Sequence, residues 1–136
     1  MGKAFARLGN RIAVRLYRSS DGRLVGKGVL MLTVPGRRTG LPRSTCVRFL
    51  DTSEGPVVWG TGSGSPRDPD WVRNLRCVEH ADVQLGGRSR RVRPRELGGG
   101  ERDAVWTGVV LARAPGVARY ARKAGRVIPV FLLRPE

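Results

Sequence analysis

Residues 29–34, Val-Leu-Met-Leu-Thr-Val, form an apolar run too short for an ordinary helix, and Pro35-Gly36 closes it abruptly. That pattern predicts a buried strand ending in a turn. Pro42-Arg43 opens a second β-rich run at 44–50, so the two strands flank a tip that carries Arg37, Arg38, Thr39 and Gly40. The alternation of short apolar run and turn residue then repeats. Gly55-Pro56 precedes a strand at 57–61, and residues 81–85 alternate apolar and polar up to Gly86-Gly87, a two-residue hairpin signal. The return strand at 88–95 carries Arg88, Arg90, Arg91, Arg93 and Arg95, a ladder suited to a solvated or edge face. Residues 128–133 are apolar throughout and read as the last strand, central in the sheet.

Helices are fewer and sit between or beside these runs. At 3–18, Phe5, Leu8, Ile12 and Leu16 recur at near-helical spacing, flanked by Val14 and Tyr17, while Lys3, Arg7, Arg11, Arg15 and Arg18 take most other positions. A basic amphipathic helix of this kind packs on its own sheet, covers a ligand site or lies on an anionic membrane; packing is the default. Residues 69–76 read as a short helix with Asp68 as N-cap and Pro69 in the first turn. Trp71 and Leu75 share its face, Trp71 serving as a core anchor or a pocket wall. Gly98-Gly99-Gly100 leads into a helix to about residue 113 that buries Val105 and Val109, and Pro115-Gly116 interrupts it. A further turn places Val117, Tyr120 and Ala121 on one side. Six strands, hairpin-like connections and no repeat predict one domain over 1–136, a small closed or split β-barrel with peripheral helices.

Charge narrows the partners. With 26 Lys and Arg against 11 Asp and Glu, the formal charge is +15, nearly all of the excess arginine. An acidic partner fits: a polyanionic cofactor, an anionic membrane surface or nucleic acid. A high-GC genome also inflates arginine. At the 36–43 tip, Gly36 and Gly40 can take positive φ, Arg37, Arg38 and Arg43 offer planar forks for phosphate or carboxylate oxygens, and Thr39 adds a hydroxyl. An anion clamp and a solvated basic hairpin tip are both compatible with that chemistry.

Other site chemistries are poorly served. Cys46, Cys77 and the lone His80 are too few and wrongly spaced for a closed zinc site, so no metal is expected, and both cysteines read as reduced and structural in a cytosolic protein. No apolar stretch approaches the ~20 residues that span a bilayer, and the N-terminus lacks a secretory signal's apolar core. The glycines at 60, 62 and 64 match neither a dinucleotide fingerprint nor a P-loop, since Pro66 follows instead of a helix. What remains is a loop where backbone can approach a flat ligand. Aromatics are few and not interleaved with arginine on one strand, which speaks against single-stranded nucleic acid.

The ordered motifs LTVPGRRTGLPR, GTGSGSPRDPDWVRNL, VQLGG and RYARKAGRVIPVFLL resemble the deazaflavin (F420)-dependent nitroreductase family of actinobacteria, over nearly the whole chain. The resemblance implies a split β-barrel of the flavin-reductase type, FMN-binding or pyridoxamine-oxidase-like. It also implies hydride transfer from reduced coenzyme F420 to an electron-poor acceptor such as a quinone, nitroaromatic or enone. By position, Arg37, Arg38, Thr39, Gly40 and Arg43 match the phosphate-binding stretch, and Gly60, Thr61 and Gly62 match the loop beside the cofactor. Trp71 and Asn74 match the helix that walls it, and Tyr120 matches a tyrosine facing the substrate, where it would hydrogen-bond the accepting oxygen or supply a proton. A water-facing helix residue is the alternative for Tyr120.

Three positions depart from the pattern. Gly62 stands where many members carry lysine, Asp68 replaces a histidine, and Val117 replaces a further pocket tyrosine. An FMN-dependent oxidoreductase on the same fold and a non-catalytic nucleic-acid-binding barrel are the rival readings. The expected assembly is a monomer or homodimer, cytoplasmic, with residues 1–20 available for peripheral contact with the inner face of the membrane.

Overall fold

All strand pairings are antiparallel, as hairpin-like spacing requires. In a computed structural model, described for residues 3–22 and 28–136 with side chains from residue 10 onward, helix α1 (Lys3–Ser20) is followed by β1 (Val29–Pro35), β2 (Pro42–Arg48), β3 (Leu50–Thr52) and β4 (Gly55–Trp59). A short 3-10 turn at Gly62–Gly64 leads to α2 (Asp70–Leu75), then β5 (Ala81–Leu85) and β6 (Arg88–Glu96). Helix α3 (Gly99–Val105) continues through a π-helical stretch (Trp106–Leu111) toward α4 (Val117–Ala124), and β7 (Val130–Pro135) ends the fold.

The sheet has seven strands in the order β2-β1-β5-β6-β7-β4-β3. Its two outermost strands, β2 and β3, are consecutive in sequence, with only Phe49 between them. A sheet whose opposite margins are joined by one residue has to curl round on itself, which makes it a barrel. The count differs from the six expected because the run at 44–50 is two strands that part company at Phe49, where no glycine or proline marks the break.

Strands β1, β4 and β7 are apolar on both faces because both faces are covered. Leu30, Leu32, Val34, Val58, Phe131 and Leu133 point into the barrel against Val72 and Leu75 of α2. Their neighbours Val57, Trp59, Val130 and Leu132 point outward under the layer formed by α3 and α4. β6, with Val92 its only fully buried residue, exposes its arginines. It lies inside the sheet, so that ladder coats a solvated face and guards no edge.

Helix α1 packs on its own domain, but through a different stripe from the one its periodicity suggests. Val14 and Tyr17 are buried against Met31, whereas Ile12 and Leu16 are exposed; the side chains of Phe5 and Leu8 fall outside the described residues. Tyr17 is the anchor. Its hydroxyl donates to the Gln84 carbonyl at 2.8 Å and accepts from the Gly86 amide at 2.8 Å, tying α1 to the β5–β6 hairpin. Burial pushes this hydroxyl's pKa up, with the Gly86 bond partly opposing. Asn10 does a second job on the outer strand β2. Its carboxamide donates to the Ser44 carbonyl (2.9 Å) and accepts from the Cys46 amide (3.4 Å), as a neighbouring strand would. The exposed ladder edge is thereby covered, which blunts it as a template for association.

Candidate active site

The tip between β1 and β2 is built by its own backbone first. The Gly36 amide donates to the Leu41 carbonyl and the Gly40 amide to the Gly36 carbonyl, both at 2.8 Å, with Gly40 at φ +74°. Thr39 Oγ1 accepts from the Leu41 amide at 3.2 Å, so its oxygen already serves the turn. Arg37 turns inward. Its amide and Nη1 both donate to Asn74 Oδ1 (3.1 and 2.8 Å), and Nη2 stands 3.4 Å from Asp70 Oδ1. Two residues singled out at distant points of the sequence thus meet, and the buried carboxamide of Asn74 fixes the tip to α2. The side chains of Arg38 and Arg43 are exposed and make no hydrogen bond or ion pair among the described residues. Their guanidiniums keep their full donor capacity.

The second arm runs from β4 to α2. Gly60 hugs this helix so closely that a Cβ there would lie 2.6 Å from Val72 and 3.1 Å from Pro129. At Gly62 the backbone has φ +54°, with Pro69 and Ser65 each 3.2 Å from where a Cβ would stand. A side chain such as lysine would be strained there. Thr61 is buried and accepts from the Gly64 amide through its carbonyl. Trp71 is half-buried on the barrel core, its ring 6.3 Å from Phe131, and acts as a core anchor.

Asp68 does not cap α2; no side-chain bond caps that helix, and Pro69 holds the N-cap position. Its carboxylate is instead claimed by two arginines, Arg126 at 2.8 Å and Arg76 at 2.9 Å, and Arg76 also forms a bidentate pair with Glu96 at 2.8 Å per bond. Those acidic partners, Glu96 foremost, hold the Arg76 guanidinium well above its ordinary pKa. A negative charge at position 68 is therefore neutralised where it stands. Val117 is buried in the core under α4, where a tyrosine could not be accommodated without repacking. Tyr120 lies on the same helix, 42% exposed, and its hydroxyl makes no hydrogen bond among the described residues. The free Cys77 is exposed rather than structural, and burial raises the pKa of the Cys46 thiol.

Arg126 escaped the sequence reading. Gly125 ends α4 at φ +65°, and the chain reversal swings Arg126 back over the loop at 60–68. The only local sign was an arginine immediately after a helix-terminating glycine.

Residues 9–135 match the family model described as F420H(2)-dependent quinone reductase. The chain belongs to that family. A quinone reductase of this description from Mycobacterium tuberculosis is 24% identical over 131 residues, covering 90% of this chain and 87% of the relative. Among solved structures, an F420-H2 dependent reductase aligns with TM-score 0.68 at 28% identity, over 79% of this chain and 94% of the other. A domain-swapped dimer aligns with TM-score 0.71 at 25% identity, over 91% and 95%. A FAD-binding protein of Mesorhizobium loti shares the fold alone, with TM-score 0.55 at 15% identity over 83% and 84%. The protein is accordingly an F420H2-dependent oxidoreductase on a split barrel of the flavin-reductase kind, and its cofactor is coenzyme F420. The donor set fits such a molecule, because the two exposed guanidiniums, without a partner among the described residues, can take an anionic group.

Proposed function

We propose that Arg38 and Arg43 bind the anionic part of F420 and that the protein reduces a quinone. Their exposed guanidiniums, without a partner among the described residues, on a tip held by Arg37 and Asn74 are the observation that carries this reading. The division of labour is physical. Arg37, Thr39 and Gly40 hold the shape of the tip, so Arg38 and Arg43 meet an anion without paying to order the loop. On the other arm, Gly60 and Gly62 let the 60–62 backbone pack tightly on α2 and Pro69, which fixes it as one side of the ring's site, with Trp71 on the same arm and Asn74 joining the two arms through Arg37.

The bound deazaflavin supplies the hydride, so no side-chain nucleophile or metal is called for. Converting a quinone to its hydroquinone takes a hydride and a proton. Tyr120, an exposed residue of α4, hydrogen-bonds the accepting oxygen and relays that proton from water. The FMN-dependent and nucleic-acid-binding alternatives lose their ground to the family assignment.

Two measurements test the proposal together. Titration with F420, FMN and a short DNA at two salt concentrations should give tight, salt-sensitive binding of F420 alone. Absorbance of the reduced cofactor should then be lost with quinones in preference to nitroaromatics and enones. Retention of full F420 affinity after both Arg38 and Arg43 are removed would refute the clamp.

Among the described residues no helix is long and apolar enough to cross a membrane. Ile12 (52% exposed) and Leu16 (40%) stand on α1 beside the exposed Arg11 and Arg15, a surface suited to a cytoplasmic enzyme touching the inner face of the membrane where lipid quinones reside. Co-sedimentation with anionic but not neutral vesicles is expected, and its absence removes the membrane contact from the reading. Light scattering distinguishes a monomer from a homodimer.

A further inference from the structure

Four backbone carbonyls of the 60–68 loop converge on one guanidinium. Arg126 Nε donates to the Ser65 carbonyl (3.1 Å), and Nη2 to those of Gly60 (3.0 Å), Thr61 (3.2 Å) and Arg67 (3.1 Å). Nη1 donates to Asp68 Oδ1 at 2.8 Å, and the side chain is only 15% exposed. All three nitrogens are engaged, and since Nη2 carries two hydrogens, at least one of its bonds is shared. Carbonyl dipoles brought this close repel one another unless a positive charge sits among them. The loop's shape therefore depends on a residue contributed from beyond α4.

The same segment grips the loop a second way. The aliphatic stem of Lys123 lies across Gly64, where a Cβ would come within 2.6 Å of the lysine Cδ. Tyr120 is three residues before Lys123, on the neighbouring position of the same helical face. Loop and tyrosine are thus fixed to one short stretch of chain, 120–126.

We propose that Arg126 is a positioning residue for the reaction: it holds the loop beside the cofactor and the helix bearing Tyr120 at one fixed separation, without itself touching the cofactor. The inference rests on reading 60–62 as the cofactor's neighbour. Asp68 belongs to the device, since it neutralises the guanidinium and is itself braced by Arg76 against Glu96. Charge alone cannot replace the arrangement, because a lysine offers three donors from a single point where the loop presents five acceptors in a plane-like spread.

The test compares Arg126→Lys, Arg126→Gln and Asp68→Asn with the parent by amide hydrogen exchange of the cofactor-free protein and by fluorescence titration with F420 across a salt series. Both Arg126 variants should exchange faster at 62–68 and bind F420 about 10- to 100-fold more weakly, because a loop no longer pre-organised has to be ordered on binding. The dependence of affinity on salt should keep the parent's slope, because no charge touching the cofactor has been removed. Asp68→Asn spares the carbonyl bonds and should show a smaller change in the same direction, which keeps the test alive if the Arg126 variants fail to fold. Unchanged exchange at 62–68, parent-like affinity in Arg126→Lys, or a shallower salt slope would each overturn the proposal. If exchange rises while affinity stays at the parent value in the Arg126 variants, the loop is not the cofactor's neighbour and the proposal falls with it. The Arg38 and Arg43 clamp would still stand, since its own double variant reports on it separately.

Discussion

The tip at 36–43 and the loop at 60–68 are both glycine-rich connections lined by arginine, and they use that arginine in opposite ways. In the loop, the guanidinium of Arg126 is consumed by carbonyls and by Asp68. In the tip, Arg37 is consumed, on Asn74 and Asp70, while the side chains of Arg38 and Arg43 have no partner among the described residues. A count of basic residues would score the two alike. What separates a binding surface from a scaffold is whether the donors already have acceptors.

That contrast predicts where affinity and stability should part. Removing the open pair, Arg38→Ala with Arg43→Ala, should weaken F420 by about 100-fold or more at ~1.5–3 kcal/mol per charged contact. The thermal midpoint should stay put, since neither side chain has a partner to lose among the described residues. A matching fall in thermal stability would erase the distinction. Arg37→Ala sits on the boundary and should lower both quantities, with roughly 1–2 kcal/mol of stability lost because the buried Asn74 oxygen loses its guanidinium donor and keeps only the amide of residue 37. Its exposed contact with Asp70 adds little.

Polar groups closed far from the site should move stability alone. Tyr17→Phe should cost roughly 1–2 kcal/mol, with the Gly86 amide and Gln84 carbonyl left unmatched and F420 affinity unchanged in a calorimetric titration. The same substitution carries a pH signature. The folded hydroxyl titrates above the ordinary 10.0 because it is buried, so the unfolded chain loses its proton first, and this contribution is full below pH 10 and shrinks as pH rises beyond it. The gap between parent and Tyr17→Phe should therefore narrow in alkaline urea melts. Asn10→Ala is the smallest of the set, about 1 kcal/mol, and should raise the tendency of β2 to associate, read by light scattering after mild heating.

The barrel was largely legible because its central strands are buried on both faces and so read as unbroken apolar runs at 29–34, 57–59 and 130–133. What stayed hidden depended on distant partners. Periodicity marks a stripe on α1 but cannot say which stripe has a sheet beneath it: Ile12 and Leu16 face outward while Tyr17 does the anchoring. Asp68 stands one residue before a helix-starting proline and looks like a cap. Its actual partner Arg126 lies 58 positions away, and no local pattern encodes that pairing. Among 26 basic residues, the one that organises the loop carries no mark of its own. The tip was legible as a cluster of forks, yet only geometry divides struts from open donors.

Phe49 gives this sheet the topology of a clasped belt. Neither end can peel without pulling on the buckle, so loss of β3 should drag β2 with it and melt the barrel as one piece. A flexible insert spliced in at position 49 would open the buckle while leaving every side chain in place, giving two melting steps where the natural chain gives one.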